Sequence, residues 1–125
     1  MIQYIASDVD GTLLHGHATT LNPELFDIIR QLKEHGIHFI AASGRQYKNL
    51  RRLFAPVKDD ISYVAENGSM CVHDGKIVSL GHIDTGLIYE IADAAKDYGH
   101  CHTLISTART GYTDSKDSDY INHIR

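Results

Sequence analysis

The chain has 125 residues, 42% of them apolar, and a formal net charge of −4, enough apolar content to bury one core and no sign of disorder. Its 12 Lys and Arg residues form no basic block or stripe, which argues against a nucleic-acid partner, and no apolar run approaches the ~20 residues of a membrane span. The N-terminal residues do not read as a signal peptide, and Cys71 and Cys101 lack Cys-x-x-Cys spacing, so both are expected to be reduced thiols in a cytoplasmic protein.

Residues 2–7, Ile-Gln-Tyr-Ile-Ala-Ser, are a short apolar run ending at Asp8 and predict a buried strand. Asp10-Gly11-Thr12 is a turn signal, and a loop with His15, Gly16 and His17 follows. Asn22-Pro23-Glu24 starts a helix: a capping side chain, proline at the first helical position and an acid at the positive end of the dipole. Leu25, Ile28, Ile29 and Leu32 are expected on its inner face, with Gly36 at its end. Residues 37–42 predict a second buried strand and Ser43-Gly44-Arg45 the turn after it. A second helix is expected from Gln46, with Leu50, Leu53 and Phe54 inward and Pro56 at its end. Residues 61–65 predict a third strand, followed by the turn Glu66-Asn67-Gly68. Met70-Cys71-Val72 and Ile77-Val78 flank an Asp74-Gly75 bend, a hairpin signal. Beyond Leu80 the pattern changes. Residues 86–98 predict an amphipathic helix carrying Leu87, Ile88, Ile91, Ala92 and Ala95. Residues 101–106 and 111–113 suggest strands, and residues 114–125 are polar without a clear period.

Apolar strands alternating with amphipathic helices predict an α/β fold, a Rossmann-like parallel sheet with right-handed crossovers, ending in a β-hairpin. Ligands bind such sheets at the carboxyl ends of the strands. Asp8, Ser43 and Asn67 each lie at or just past such an end, so three strands would bring three polar groups to one rim.

The sharpest signal is Asp8-Val9-Asp10-Gly11-Thr12-Leu13-Leu14 directly after a strand. Two carboxylates two residues apart can face one pocket once the chain turns, one attacking phosphorus and the other handling protons. An aspartate nucleophile divides hydrolysis into two easier steps through an aspartyl-phosphate. Amides of the turn can cradle phosphate oxygens, and Gly11 lets the backbone approach closely. Because the carboxylates repel a phosphoryl group, a bridging cation is expected, and oxygen ligands favour Mg2+. A bare Asp-x-Asp-Gly also serves as a strand-end turn; the longer motif after a strand favours chemistry.

This motif resembles the first motif of the haloacid dehalogenase (HAD) phosphatases. The resemblance implies that Asp8 is nucleophile and metal ligand, and that Asp10 is general acid/base, ligating the metal through its carbonyl. Val9, Gly11, Thr12, Ser43 and Gly44 would contact phosphate. Ala41-Ala42-Ser43-Gly44-Arg45 resembles the second motif, in which Ser43 hydrogen-bonds the phosphoryl group. Ala65-Glu66-Asn67-Gly68-Ser69 resembles a turn of the Cof-type subgroup, whose members act on small phosphorylated metabolites and insert an α/β cap after the hairpin. Arg45 and Asn67 would line the substrate site. Residues 1–82 then form the N-terminal part of the core, and 83–125 the beginning of a cap.

The family's third motif, a lysine after the cap, and its fourth, an aspartate pair in a Gly-Asp context, have no counterpart here. Lys96 and Lys116 fall inside the expected cap. The chain is therefore expected to stop within the cap and to be inactive alone. The family orders its core strands 3-2-1-4-5, which leaves strand 1 an open edge and a route to self-association. Two alternatives stay open: a phosphohexomutase-like phosphotransferase, distinguished by transfer to a sugar hydroxyl, and a non-catalytic binding or dimerisation module. His15 and His17 read as solvated loop residues. His100-Cys101-His102 lacks a second ligand pair and reads against zinc.

Overall fold

A computed structural model describes residues 1–98, 101–113 and 115–123. They fall into two compact units, Met1–Gly81 and His82–Arg125. The first unit holds β1 (Tyr4–Asp8), α1 (Pro23–Glu34), β2 (His38–Ala42), α2 (Tyr47–Leu53), β3 (Ser62–Ala65), β4 (Met70–His73) and β5 (Lys76–Leu80). The sheet order is β1-β2-β3-β4-β5; β1, β2 and β3 run parallel, β4 pairs antiparallel with β3, and β5 antiparallel with β4. This is the Rossmann-like α/β architecture expected from the sequence.

The local signals act as their chemistry requires. Asn22 accepts from the Glu24 N–H at 3.0 Å and Pro23 opens α1. Gly36 leaves the helix at φ 72°, a left-handed conformation that a residue without Cβ takes at little cost. Asp74 and Gly75 both have positive φ, the requirement of a tight two-residue hairpin turn.

Both crossover helices pack on one face of the sheet. Phe39 meets Phe54 and Tyr63 meets Tyr47 across that interface, and Ile29 joins the same core. Val9, Leu50, Phe54, Val57, Tyr63 and Ala65 are almost wholly buried there. The opposite face carries Tyr4, Ala6, His38, Ile40 and Val64, which are exposed or half-buried. Strands expected to be buried on both sides are thus covered on one. β1 departs furthest: none of its residues is buried, because it is the sheet edge as well as half-covered. Ile28 also departs from expectation, being 46% exposed. Leu25, Ile29 and Leu32 share the inward stripe of α1, and Ile28 lies about 100° round the helix from Ile29.

The second unit holds α3 (Thr85–Lys96), the short pair β6 (Ile105–Ser106) and β7 (Gly111–Tyr112), and α4 (Ser118–His123). α3 is capped by Asp84, which accepts from the Gly86 and Leu87 N–H groups. Its apolar stripe is open, with Leu87 and Ile91 exposed. The expected strand over 101–106 contracts to two residues, and α4 falls in the stretch that showed no period. His100 lies outside the described residues. Among the described residues no helix is long and apolar enough to cross a membrane.

Candidate active site

The cleft is built at the carboxyl ends of the three parallel strands. β1 ends on Asp8, β2 delivers Ser43 one residue beyond its end, and β3 runs into Glu66-Asn67-Gly68. Together Asp8, Ala42, Ser43, Gly44, Val64, Asn67 and Gly68 line an open cavity of about 250 Å³. Register explains the meeting: Asp8 pairs with Ala42, and Ala42 with Val64, so the three strand ends are level.

After Asp8 the chain winds tightly on itself. The buried Val9 carbonyl accepts from the N–H groups of Thr12, Leu13 and Leu14, and Gly11 N–H donates to the Leu14 carbonyl at 2.8 Å. In this conformation the Gly11 and Thr12 amides serve the loop. The Thr12 hydroxyl donates to Asp8 Oδ2 at 3.2 Å, which aims the carboxylate while leaving it exposed.

Asp10 stands beside the cavity in a two-pronged ion pair. Arg45 Nε donates to Asp10 Oδ2 at 2.9 Å and Nη2 to Oδ1 at 2.7 Å. Ser43 Oγ lies 3.4 Å from Asp10 Oδ2, a long contact, and accepts the Arg45 N–H at 3.1 Å. The Arg45 hydrogen bonds hold the Asp10 carboxyl below its ordinary value, against the upward push of partial burial; the Arg45 charge and Ser43 add to the lowering. Asp10 is therefore a carboxylate here, a base rather than an acid. Arg45, the one cation the motifs suggested near the cleft, is engaged by it.

Asp8, Ser43, Gly44 and Asn67 share the cavity; Asp10 and Arg45 flank it as a pair; Val9, Gly11 and Thr12 shape the loop beneath. Sequence reasoning missed Ala42, Val64 and Gly68 as lining residues. They carry no chemical signature, although each adjoins a residue that does. His15 and His17 are exposed.

The Asp8 carboxylate and the Asp10 backbone carbonyl are oxygen donors of the kind magnesium accepts while keeping several waters. Among the described residues no three His, Cys, Asp or Glu side chains converge as a metal cluster would.

A family model for haloacid dehalogenase-like hydrolases matches residues 5–125. The 5-amino-6-(5-phospho-D-ribitylamino)uracil phosphatase YbjI of Escherichia coli is 30% identical over 118 residues, 94% of this chain and 44% of its own length. A crystal structure from Eubacterium rectale superposes with a TM-score of 0.86 at 26% identity, covering 99% of this chain and 47% of that one. SMU.1108c of Streptococcus mutans gives a TM-score of 0.88 at 24% identity, with coverages of 99% and 47%, a likeness of fold. The chain spans under half the length of these relatives. With the family model matching nearly its whole length, the chain belongs to the haloacid dehalogenase-like hydrolases.

Proposed function

We propose that this chain carries the nucleophile half of a magnesium-dependent phosphomonoester hydrolase for small phosphorylated metabolites. The observation that carries the reading is the exposed Asp8 at the end of β1, lining one cavity with Ser43 and Gly44. Asp8 attacks phosphorus, the P–O bond to the leaving group breaks, and Asp10 protonates the departing oxygen. Water, deprotonated by Asp10, then cleaves the aspartyl-phosphate. To act first as acid, Asp10 must take up a proton and exchange its grip on Arg45 for the leaving group. Ser43 donates to a phosphoryl oxygen, and Arg45 and Asn67 border the substrate. Magnesium, which the Asp8 carboxylate and the Asp10 backbone carbonyl would hold, would supply positive charge to offset that of the phosphoryl group. Residues 1–82 are read as the N-terminal part of the core and 83–125 as the beginning of a cap. The separation of the two compact units near Gly81 supports that reading.

The test is an acid quench of a form carrying the family's later motifs, incubated with a 32P-labelled sugar phosphate. Acid-stable, base-labile label that disappears in Asp8→Asn supports the reading. Steady turnover by Asp8→Asn sinks it.

A further inference from the structure

The segment following β3 is conformationally unusual. Glu66 and Asn67 have φ values of 53° and 54°, and Gly68 follows at 94°: three consecutive residues in the left-handed region, two with side chains. Such backbone persists only where its surroundings hold it. The surroundings here are the Ser43–Gly44–Arg45 turn. Glu66 N–H donates to the Arg45 carbonyl at 3.1 Å and Asn67 N–H to the Ser43 carbonyl at 3.3 Å. Ser43 N–H donates in return to the Val64 carbonyl at 2.9 Å. The two chains are stitched together past the ends of their strands.

The Asn67 side chain adds a second hold. A Cβ placed on Gly44 would lie 2.8 Å from Asn67 Oδ1 and 3.3 Å from its Cγ and Nδ2. The amide thus fills the space that any side chain at position 44 would need.

We propose that Asn67 is a positioning residue: by backbone and amide together it fixes the Ser43–Gly44–Arg45 turn, and through that turn the Ser43 hydroxyl. The inference rests on the phosphoryl reading of the cleft and assigns Asn67 a role within it that is indirect. Asparagine suits both demands. It tolerates the left-handed region better than other residues with side chains, and its planar amide packs on a glycine. Glycine would supply the backbone alone. The turn also reaches the nucleophile loop, since Arg45 grips Asp10. A loosened turn would therefore misplace both groups.

The experiment uses this chain with magnesium and inorganic phosphate, following the Ser43 and Gly44 amide signals by NMR, with thermal melts to show that each variant is folded. Asn67→Gly is expected to weaken phosphate binding about tenfold in the wild-type background and less than about twofold in Ser43→Ala, because Asn67 acts through Ser43. Equal losses in both backgrounds would mean direct contact with the ligand and overturn the proposal, as would no loss. If the wild-type chain binds no phosphate, the phosphoryl reading fails separately, and the stability cycle between positions 44 and 67 decides. Gly44→Ala should be destabilising, and Asn67→Gly should relieve it, folding the double variant where the single one does not. Strictly additive effects would show that the two residues are uncoupled and end the proposal.

Discussion

Asp8 and Asp10 are two residues apart, yet the loop gives them different work. Asp8 is braced by the Thr12 hydroxyl and opens on the cavity, whereas Asp10 is held by Arg45. In a form bearing the later motifs, Asp8→Asn should abolish turnover, since an amide is a poor nucleophile and a poor magnesium ligand. Asp10→Asn should leave the fold intact and slow turnover by roughly 10²–10⁴-fold, the range of a general acid/base. Unfolding without a specific rate effect would reassign Asp10 to structure. Magnesium should raise the thermal midpoint of this chain by about a degree or two, a weak effect because the family's aspartate pair has no counterpart in this sequence. Identical melts in magnesium, calcium and EDTA would remove the support for a metal site. Asp8, Ser43 and Asn67 were legible because each follows an apolar strand. The Asp10–Arg45 pair was not, since no local pattern joins residues 35 positions apart.

At the scale of elements, the uncovered face of the sheet has its own chemistry, at the end away from the cleft. His38 of β2 and His73 of β4 share the buried Ser62 hydroxyl of β3, with Nε2 and Nδ1 at 2.8 and 2.7 Å from its Oγ. Ser62 has one hydrogen to give, so one ring accepts it while the other donates. The rings stand 5.0 Å apart; Tyr4 lies at the edge of His38 and Asp74 beside His73. Burial, then the His73 charge, lowers the His38 pKa; Asp74 opposes the shift and Lys33 adds to it. Below the ordinary histidine value the unfolded chain binds more protons at this position than the folded one. Stability from His38 is therefore full above about pH 6.5 and is lost as pH falls from there through the lower folded-state value. His38→Gln keeps a hydrogen-bonding group near the ring nitrogen that meets Ser62 and removes the His38 titration. Its melting temperature should fall less than the wild type's between about pH 7.5 and about pH 5.5. Equal falls would show that His38 is not the source. The covered face obeys packing instead: Phe54→Ala, at a fully buried position, should cost about 3–5 kcal/mol in a urea melt.

The first unit as a whole presents β1 as an open edge, with Tyr4 60% exposed on it. Such an edge offers unpaired backbone groups to another strand. The chain by itself is expected to self-associate, and Ala6→Lys, which places a charge on the edge strand, should shift it toward monomer in sedimentation. A concentration-independent monomer would oppose this. Catalytic competence is expected to be absent at the same scale. Asp8, Asp10 and Ser43 bring an attacking group, a proton relay and one hydrogen bond, while the nearby cation Arg45 is engaged by Asp10. Losing one preorganised electrostatic group commonly costs 10²–10³ in rate, and the family's lysine and aspartate pair both lack counterparts in this sequence. Turnover of p-nitrophenyl phosphate with magnesium at ~1 s⁻¹ or above, within the ordinary enzyme range, would overturn the expectation.

What the sequence determined by itself was the strongly signalled local structure of the first unit, Ile28 excepted. The Asn22 cap, the Asp74-Gly75 bend and the inward stripes of α1 and α2 follow from side-chain chemistry within a few residues, and the alternation of strands and helices dictates a parallel sheet. From that sheet the rim holding Asp8, Ser43 and Asn67 follows by topology. Only the tertiary structure decided which face of each strand is covered, because burial depends on what packs opposite rather than on the strand's own composition. It alone decided that Arg45 grips Asp10, that Asn67 fills the space above Gly44, and that Ser62 joins two histidines. Each of these contacts joins different segments of the chain, and side-chain pairing at such separation is set by register and packing, which no local window of residues contains.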